Sequence, residues 1–466
     1  MKLKVLICSS CALLFSSLSN AQQEHAARMW LTTPDRTTLV APQATALQFS
    51  TEAVQLPVLT VDDAQHFQSI DGFGFALTGG SAQLLMRMGA AQRAALLREL
   101  FTTGDNGIGV SYLRVSIGSS DMNERVYSYD DLPPGETDVE MAKFNLGPDR
   151  ADVIPVMKEI LAIRPDIKIL GSPWSAPAWM KTNNDVKGGE LKPEYYGAFA
   201  KYFVKYIEAM QAEGIAVDAI TVENEPLNPK NTPSMAMFAQ EQDTFIAKAL
   251  GPAFEKAGIR TKILVYDHNP DVLSYSLSIL GDPVANKYVD GTAFHLYGGD
   301  ASLLAQVHDA YPKKNLYMTE QSVTEGRSGP LGIAEPVRRV MIGATRNWCR
   351  NVLLWNLAAD PKNGPHTNNG GCTGCSGAIT LDGDSVTKNV AYYVIEHFSQ
   401  FVPPGSVRVA SSEMEQLASV AFLTPQHKMV LVVSNTANFA KPFAVKYHDK
   451  FFQTTLPPES VGTYVW

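Results

Sequence analysis

The sequence predicts a (β/α)8 barrel with an appended β-domain, and three observations support this fold class. Apolar, β-like runs alternate with helical patterns between residues 70 and 401, which is typical of a parallel sheet. The alternation gives eight strands over about 330 residues, a length that suits a barrel with insertions. After residue 402 the pattern changes to short alternating runs separated by turn residues, which indicates a small antiparallel β-domain.

The first residues form a segment distinct from the fold. Lys2 and Lys4 precede an apolar run that ends near residue 18, and small residues surround Ala21. This is the pattern of a signal peptide that is cleaved near Ala21. A membrane anchor is the alternative, but the run is shorter than the roughly 20 apolar residues that a spanning helix needs. The sequence therefore predicts a secreted or periplasmic protein without a membrane span.

Short β-like pieces with proline-rich connections follow the signal peptide. They are too few to fold alone, and chain termini often lie close together, so we expect them to join the C-terminal domain. The predicted division is a signal peptide at 1–21, N-terminal strands at 22–65, a barrel at 66–401 and a β-sandwich at 402–466.

The predicted barrel strands are apolar runs bounded by turn residues. They lie at 70–78, 110–117, 167–170, from Val217 onward, and at 262–266, 291–297, 315–319 and 351–357. Helices with apolar residues at helical spacing are predicted between most of them. These helices lie at 82–101, 150–163, 193–213, 238–257, 302–310, 334–348 and 390–401.

Composition and missing motifs exclude several classes of function. A hydrophobic content of 45% with 18% charged residues describes a globular protein, and the net charge of −8 disfavours nucleic acid as a partner. The dinucleotide-binding fingerprint fails because Leu77 stands where the third glycine after Gly72 and Gly74 is needed. The chain has no P-loop and no HExxH motif. We therefore expect no cofactor and no metal.

Three cysteines remain after the predicted cleavage. Cys372 and Cys375 form a close pair in a glycine-rich loop, and Cys349 stands apart from them in the sequence. A zinc site would need a second pair of ligands, and no second CxxC is present. An oxidising compartment permits a disulfide, so we expect a local bond between Cys372 and Cys375 and a buried thiol at Cys349.

Polar and aromatic residues lie at or beyond the carboxyl ends of the predicted strands, at the end of the barrel where sites are built. Each has an ordinary structural explanation, as an ion-pair partner, a core aromatic or a solvated acid. Their collection at seven strand ends is difficult to explain by packing. The candidate site residues are Arg114, Asp121, Trp174, Asn224, Glu225, His295, Tyr297, Glu320 and Trp355.

Paired carboxylates on one barrel face indicate glycoside hydrolysis. Retaining hydrolysis needs two carboxyl groups about 5 Å apart, one protonated and one ionised. Glu225 and Glu320 end the fourth and seventh predicted strands and can face each other across the barrel mouth. The alternation of side chains along a strand does not separate Glu223 from Glu225, because both point the same way.

Six runs of sequence give a family resemblance. They are DGFGFALTGGSA from Asp71, SPWSAPAWMKTN from Ser172, VENEP from Val222, FHLYGG from Phe294, MTEQ from Met318 and WNLA from Trp355. In this order the chain resembles the glycoside hydrolases of family 30, the family of lysosomal glucosylceramidase and its bacterial relatives. The resemblance implies a (β/α)8 barrel with a β-sandwich made from both termini.

The resemblance also implies roles for the candidate residues. Glu225 would be the general acid/base, Glu320 the nucleophile, and Asn224 the residue that holds the sugar 2-hydroxyl. We expect the charge of Glu320 to raise the pKa of Glu225. The residues expected to grip the terminal sugar are Asp121, Trp174 and Trp355. Those expected to support the ionised nucleophile are His295, Tyr297 and Arg114.

The expected activity is retaining hydrolysis of β-glucosidic linkages, on a carbohydrate or a glycolipid. The loop after Trp355, DPKNGPHTNNGGCTGCSG, is unlike that of the lysosomal enzyme and resembles bacterial members, some of which cleave β-1,6-glucan. An endo-β-1,6-glucanase or another β-glycanase is therefore the alternative. A non-catalytic carbohydrate-binding barrel is a third. The sequence leaves the aglycone, exo or endo action and the oligomeric state open.

Overall fold

The computed structural model describes residues 26–104, 107–324 and 331–466. The predicted signal peptide lies outside the described residues. The chain begins with the strands β1 (Ala26–Thr32), β2 (Ala41–Pro42), β3 (Leu47–Gln48) and β4 (Val58–Ser69). The boundary predicted between residues 65 and 66 falls inside β4, which leads directly into the barrel.

Eight parallel strands close into a barrel, in the order β10-β11-β12-β13-β14-β5-β8-β9. This confirms the predicted fold class. The strands from this part of the chain are β5 (Gly72–Leu77), β6 (Thr103–Gly104), β7 (Gly107–Ile108), β8 (Tyr112–Ser116), β9 (Lys168–Ser172), β10 (Ala219–Thr221), β11 (Lys262–His268), β12 (Val289–His295), β13 (Asn315–Glu320) and β14 (Cys349–Leu354). The short strands β6 and β7 pair only with each other.

A layer of apolar side chains fills the barrel interior. It consists of Tyr112, Leu170, Ala219, Leu264, Ala293, Tyr317 and Leu353, all buried. At this level β5 has Gly74, which pairs with Leu353. A Cβ on Gly74 would lie 1.9 Å from the carbonyl oxygen of Tyr112, so this position requires glycine. Because the interior is packed, a ligand can enter the barrel only at its ends.

Helices surround the barrel. They are α1 (Gly79–Arg87), α2 (Ala90–Phe101), α3 (Val153–Ile163), α4 (Tyr196–Ala212), α5 (Ala239–Phe245), α6 (Gly251–Ala257), α7 (Leu273–Gly281), α8 (Pro283–Asn286), α9 (Leu304–Ala310), α10 (Ala334–Pro336), α11 (Gly343–Arg346) and α12 (Val390–Ser399). No helix in these described ranges is long and apolar enough to cross a membrane.

The observed helices differ from the predicted ones in three ways. The single helix predicted at 82–101 is two helices, because Met88 is extended with ψ of 153° and ends α1. The helices predicted at 238–257 and 334–348 contain π-helical turns, Ile246–Leu250 and Val337–Ile342. The helices α7 and α8 were not predicted. They are short, and α7 has serines, which favour caps and turns over helix interiors.

Two further sheets contain the strands that follow the barrel. The strands β15 (Ala358–Ala359), β16 (Ile379–Asp382) and β17 (Ser385–Lys388) form a small sheet of their own. The last strands are β18 (Val407–Ser411), β19 (Leu417–Leu423), β20 (Met429–Asn435), β21 (Lys441–Tyr447), β22 (Lys450–Leu456) and β23 (Val461–Val465). They join the N-terminal strands in a ten-stranded sheet with the order β2-β1-β23-β20-β19-β18-β4-β21-β22, in which β3 also pairs with β1.

This ten-stranded sheet packs around its own core as a β-sandwich. The core combines side chains from both ends of the chain, such as Met29 and Leu59 with Leu431, Phe443 and Tyr464. The appended β-domain is therefore built from N-terminal and C-terminal strands together, as the sequence predicts. β4 has an inner position, with β18 on one side and β21 on the other.

Candidate active site

The carboxyl ends of the barrel strands surround a cavity of about 520 Å³. Seven of the nine candidate residues line it: Asp121, Trp174, Asn224, Glu225, Tyr297, Glu320 and Trp355. The other two, Arg114 and His295, are fully buried and contact the glutamates. All nine side chains predicted from strand ends are thus brought to one place.

The end of β10 separates Glu225 from Glu223. Glu225 has a φ of 47°, a backbone region that non-glycine residues rarely adopt and that often marks a functional site. Its N–H donates to the carbonyl oxygen of Asp267 over 3.0 Å, and its side chain lines the cavity. Glu223 is fully buried, and no group in the described part of the chain is in hydrogen-bond geometry with its carboxyl oxygens. Glu223 is therefore not exposed to a substrate.

Glu320, the last residue of β13, is held through both carboxyl oxygens. Arg114, from the middle of β8, donates from Nη1 to Oε2 over 2.5 Å. The phenol of Tyr297 donates to Oε1 over 3.0 Å. The other terminal nitrogen of Arg114 donates to Asn224 and Asp267, over 2.7 Å each. One buried guanidinium therefore orients Glu320 and Asn224 together.

His295, the last residue of β12, lies between the two glutamates. Its Nδ1 is 3.1 Å from Oε1 of Glu225 and 3.7 Å from Oε1 of Glu320. Its Nε2 is 3.2 Å from Oδ1 of Asp267. Both ring nitrogens therefore face carboxylates, an environment that favours the doubly protonated imidazolium. The sequence predicts that His295 supports Glu320, but the shorter contact is to Glu225.

The charges of this cluster shift the pKa of each member. Burial opposes the charge on His295, but Glu320 and the hydrogen bond to Asp267 raise its pKa to about 10. Burial alone would raise the pKa of Glu225, but the hydrogen bond and positive charge of His295 lower it to about 2. Burial raises the pKa of Glu320, and His295 and Arg114 only partly oppose this. The expected rise in the pKa of Glu225 is thus reversed, because His295 is a closer charge than the sequence indicates.

Two tryptophans and a carboxyl form another wall of the cavity. The ring centroids of Trp174 and Trp355 are 5.4 Å apart, and the Arg114 guanidinium carbon is 4.8 Å from the Trp174 centroid. Burial, then the charges of Glu320 and Glu225, raise the pKa of Asp121 to about 8. A neutral carboxyl and two aromatic rings offer a hydrogen-bond donor and an apolar surface, the two features that a sugar ring requires.

Some site residues were not among the candidates. Asp267 is fully buried and accepts hydrogen bonds from Arg114 and Thr319, besides facing His295. Its position near the end of a predicted strand is the signal that could have found it. Asn228 donates from Nδ2 to Oε2 of Glu225 over 2.7 Å. It lies in an irregular loop, and nothing in its sequence context distinguishes it.

The two glutamates and His295 are also a possible set of metal ligands by residue type. One donor atom from each lies within 4.8 Å of the others. The guanidinium of Arg114 places a fixed positive charge beside Glu320, which disfavours binding of a metal cation there.

The two proposed catalytic carboxyl groups are close together. A carboxyl oxygen of Glu225 and one of Glu320 are separated by no more than 4.8 Å.

Comparison with known proteins gives the family. The model of the glycosyl hydrolase family 30 TIM-barrel domain matches residues 70–402, and that of the family 30 beta sandwich domain matches residues 405–464. The chain belongs to glycoside hydrolase family 30. This confirms the resemblance seen in the six sequence runs, and the protein is a β-glycoside hydrolase.

Relatives of this family 30 chain include two kinds of enzyme. It is 38% identical over 362 residues to an endo-1,6-beta-D-glucanase from Neurospora crassa, covering 75% of this chain and 74% of the relative. It is 32% identical over 435 residues to the lysosomal acid glucosylceramidase of Mus musculus, covering 88% and 83%. A solved endo-beta1,6-glucanase is similar with a TM-score of 0.87 and 35% identity, covering 95% of this chain and 99% of that chain.

Proposed function

We propose that this family 30 enzyme is a secreted, retaining hydrolase of β-1,6-glucosidic linkages, with Glu320 as nucleophile and Glu225 as acid/base. The observation that carries the mechanism is the separation of their nearest carboxyl oxygens, within 4.8 Å. Retaining enzymes hold their carboxyl groups about 5–5.5 Å apart, whereas inverting enzymes leave about 6.5–9.5 Å for a water molecule. The short separation supports direct attack by one carboxylate.

In the first step Glu320 attacks the anomeric carbon and forms a glycosyl–enzyme ester. Arg114 and Tyr297 fix the direction of this carboxylate through one hydrogen bond to each oxygen. The glycosidic oxygen leaves with a proton from Glu225. Before the reaction that proton lies on His295, and its Nδ1 is 3.1 Å from the Glu225 oxygen that needs it. Transfer along this contact, as the leaving oxygen gains charge, would supply the proton.

In the second step Glu225, again a carboxylate, takes a proton from water, and the water oxygen attacks the same anomeric carbon. The proton then passes from Glu225 to Nδ1 of His295, which restores the resting state. The ester breaks, Glu320 is released, and the product keeps the β configuration. Asn224 accepts a hydrogen bond from Arg114 through Oδ1, which leaves its amide nitrogen to donate to a sugar hydroxyl. This fits the role that the resemblance gives Asn224 at the 2-hydroxyl.

The β-1,6 linkage is supported by the similarity to the glucanase relatives at 35–38% identity. Hydrolysis of a glucosylceramide is the second candidate, favoured by the 32% identical lysosomal relative. A panel of gentio-oligosaccharides, glucosylceramide and xylan fragments separates them. We expect gentio-oligosaccharides to be cleaved with the highest kcat/KM.

The stereochemistry is tested in the same experiment. NMR of the fresh product should show the β anomer first, followed by slow mutarotation. A fresh α anomer would exclude double displacement, and a preference for glucosylceramide would exclude the proposed linkage.

A further inference from the structure

A short segment in the loop after β14 closes one side of the active-site cavity. We call residues 370–375 the cysteine segment. The bond between Cys372 and Cys375, with an S–S distance of 2.03 Å, lies within it. Both cysteines line the cavity, together with Gly370, Gly371 and Gly374. The proposed acid/base and nucleophile steps leave this segment without a role.

We propose that the cysteine segment is a sugar-contacting wall of the cavity, and that its disulfide sets the affinity of the site for the glycoside. This rests on the proposed function of the cavity as a glycosidase site. Two features of the molecule support it: the groups that the sulfur atoms touch, and the way in which each end of the segment is held.

The sulfur atoms extend the aromatic surface of the cavity. Cys375 is buried in an apolar cluster with Trp174, Trp355 and Met122, and Cys372 packs against the same cluster. Sulfur makes favourable contacts with aromatic rings. The disulfide and the two indoles belong to one apolar cluster, and all four residues line the cavity, so we infer that they present one apolar face to it. Such a face is complementary to the C–H side of a pyranose ring, while its hydroxyls reach the polar groups opposite.

The disulfide also contacts Ser322, the residue that holds the tyrosine beside the nucleophile. Sγ of Cys375 is 3.9 Å from the hydroxyl of Ser322. The Ser322 hydroxyl is 3.1 Å from the phenol oxygen of Tyr297, and its backbone N–H donates to that oxygen over 3.1 Å. Tyr297 in turn donates to Glu320. The segment is therefore connected to the reacting carboxylate through Ser322 and Tyr297, and it packs directly on the aromatic pair.

The first part of the segment is held by close backbone contacts. Gly370 has a φ of 122°, and a Cβ there would lie 2.7 Å from the carbonyl oxygen of Lys230. Nζ of Lys187 donates to the carbonyl oxygen of Asn369 over 2.8 Å. The first contact fixes the start of the segment against the loop that follows Glu225, and the second ties the preceding residue to the loop that follows β9. They do not reach Cys372 and Cys375.

The disulfide holds the other part of the segment, together with one hydrogen bond from Nδ2 of Asn363 to the carbonyl oxygen of Thr373 over 3.3 Å. Without the bond, the run from Gly371 to Cys375 contains two glycines and gains backbone freedom. A substrate would then have to order this part of the wall before contacting it. Such ordering weakens binding without removing any catalytic group.

Reduction of the bond in the native enzyme is the test. Dithiothreitol converts the disulfide to two thiols and is itself oxidised to its cyclic disulfide. Kinetics on an aryl β-glucoside are measured before and after reduction. We expect KM to rise about three- to tenfold, with a smaller change in kcat, because one or two groups must be ordered on binding. The double variant C372A/C375A should have the raised KM already, and reductant should not change it further.

Two controls distinguish a loss of affinity from a general loss of stability. Thermal unfolding should change little on reduction, because the bond closes a loop of very few residues. Among the described residues the remaining cysteine is Cys349, a buried free thiol that reductant leaves unchanged. An unaltered KM after complete reduction, or a lower melting temperature as the sole effect, would refute the proposal that the disulfide sets the affinity for the glycoside. An oxidised enzyme that is inert on every β-glycoside would overturn the proposed function, and the wall with it.

Discussion

The Nδ1 atom of His295 lies 3.1 Å from the Oε1 atom of Glu225, nearer than its 3.7 Å distance to Glu320. A protonated imidazole in this position stabilises negative charge on the nearer carboxylate more strongly. This arrangement favours a proton on the histidine, one hydrogen bond away from the proposed acid. Asp267, on the opposite ring nitrogen, helps to retain the positive charge.

The pH profile of the variant His295→Gln tests this arrangement. In the native enzyme the alkaline loss of activity should follow the imidazolium, whose pKa is raised to about 10. In the variant the proton must rest on Glu225 itself, so the alkaline limb of kcat/KM should move to lower pH. An alkaline limb at the same pH in both proteins would show that His295 does not hold the proton.

Removal of the proposed nucleophile should abolish activity on every substrate. Glu320→Gln cannot form the glycosyl–enzyme ester, whatever the leaving group. The measurement is hydrolysis of an activated aryl β-glucoside and of a gentio-oligosaccharide. The matched control is Glu223→Gln, which alters a buried carboxyl on the same barrel rim and should be much milder. Equal losses in the two variants would contradict the assignment.

Removal of the proposed acid should depend on the leaving group. Glu225→Gln should lose about 10²–10⁴-fold on substrates with poor leaving groups, the usual contribution of a positioned acid. An activated aryl glycoside should still glycosylate Glu320, and added azide should then release a β-glycosyl azide. Azide rescue in the Glu223 variant instead would move the acid/base role to that residue. An α-glycosyl azide would refute retention.

Stability at acid pH should depend on His397, which joins the barrel to the sandwich. Its Nδ1 and Nε2 lie 2.8 Å from the hydroxyls of Thr463 and Thr32. The Thr463 hydroxyl donates to the carbonyl oxygen of His397, so it must accept from Nδ1. The Thr32 hydroxyl accepts from the N–H of Val40 and donates to Nε2. This network fits a neutral ring, and burial lowers the pKa of His397 to about 3.

The direction of the pH effect follows from this lowered pKa. Between about pH 6.5 and pH 3 the unfolded chain binds a proton at His397 that the folded chain does not. The free energy of unfolding should therefore fall with decreasing pH in this range, by up to about 1.4 kcal/mol per unit from this group. Urea unfolding at pH 7 and pH 5 measures it. The difference between the two pH values should be smaller in His397→Gln, and an equal difference would exclude the effect.

The C-terminal strands should not fold without the N-terminal ones. β4 supplies the strand between β18 and β21, and β1 pairs with β23. A fragment of residues 402–466 would leave β18, β21 and β23 each without one neighbouring strand, and would expose the core side chains that cluster with Met29 and Leu59. Circular dichroism of this fragment should show no cooperative unfolding. A folded fragment that binds glucan would contradict our expectation that this domain has a structural role.

Sequence alone determined the barrel and the location of its site. The carboxyl ends of parallel strands meet at one rim of a barrel, so the polar residues at the end of each apolar run are expected to lie together. This found both glutamates, Arg114, His295 and the tryptophans. It failed where local pattern is weak, as in α7 and in the short strands after β14.

The tertiary structure decided which atoms face each other. Alternation along a strand cannot separate Glu223 from Glu225, but the backbone leaves the strand at φ 47°, and Glu225 lines the cavity whereas Glu223 does not. Likewise, sequence placed His295 near Glu320, whereas the structure puts it closer to Glu225. The first outcome depends on the backbone at the end of β10, where the N–H of Glu225 donates to Asp267 of the neighbouring strand. The second depends on the difference between distances of 3.1 Å and 3.7 Å. Residue order fixes which strand carries each group, but only packing of the whole barrel fixes those distances.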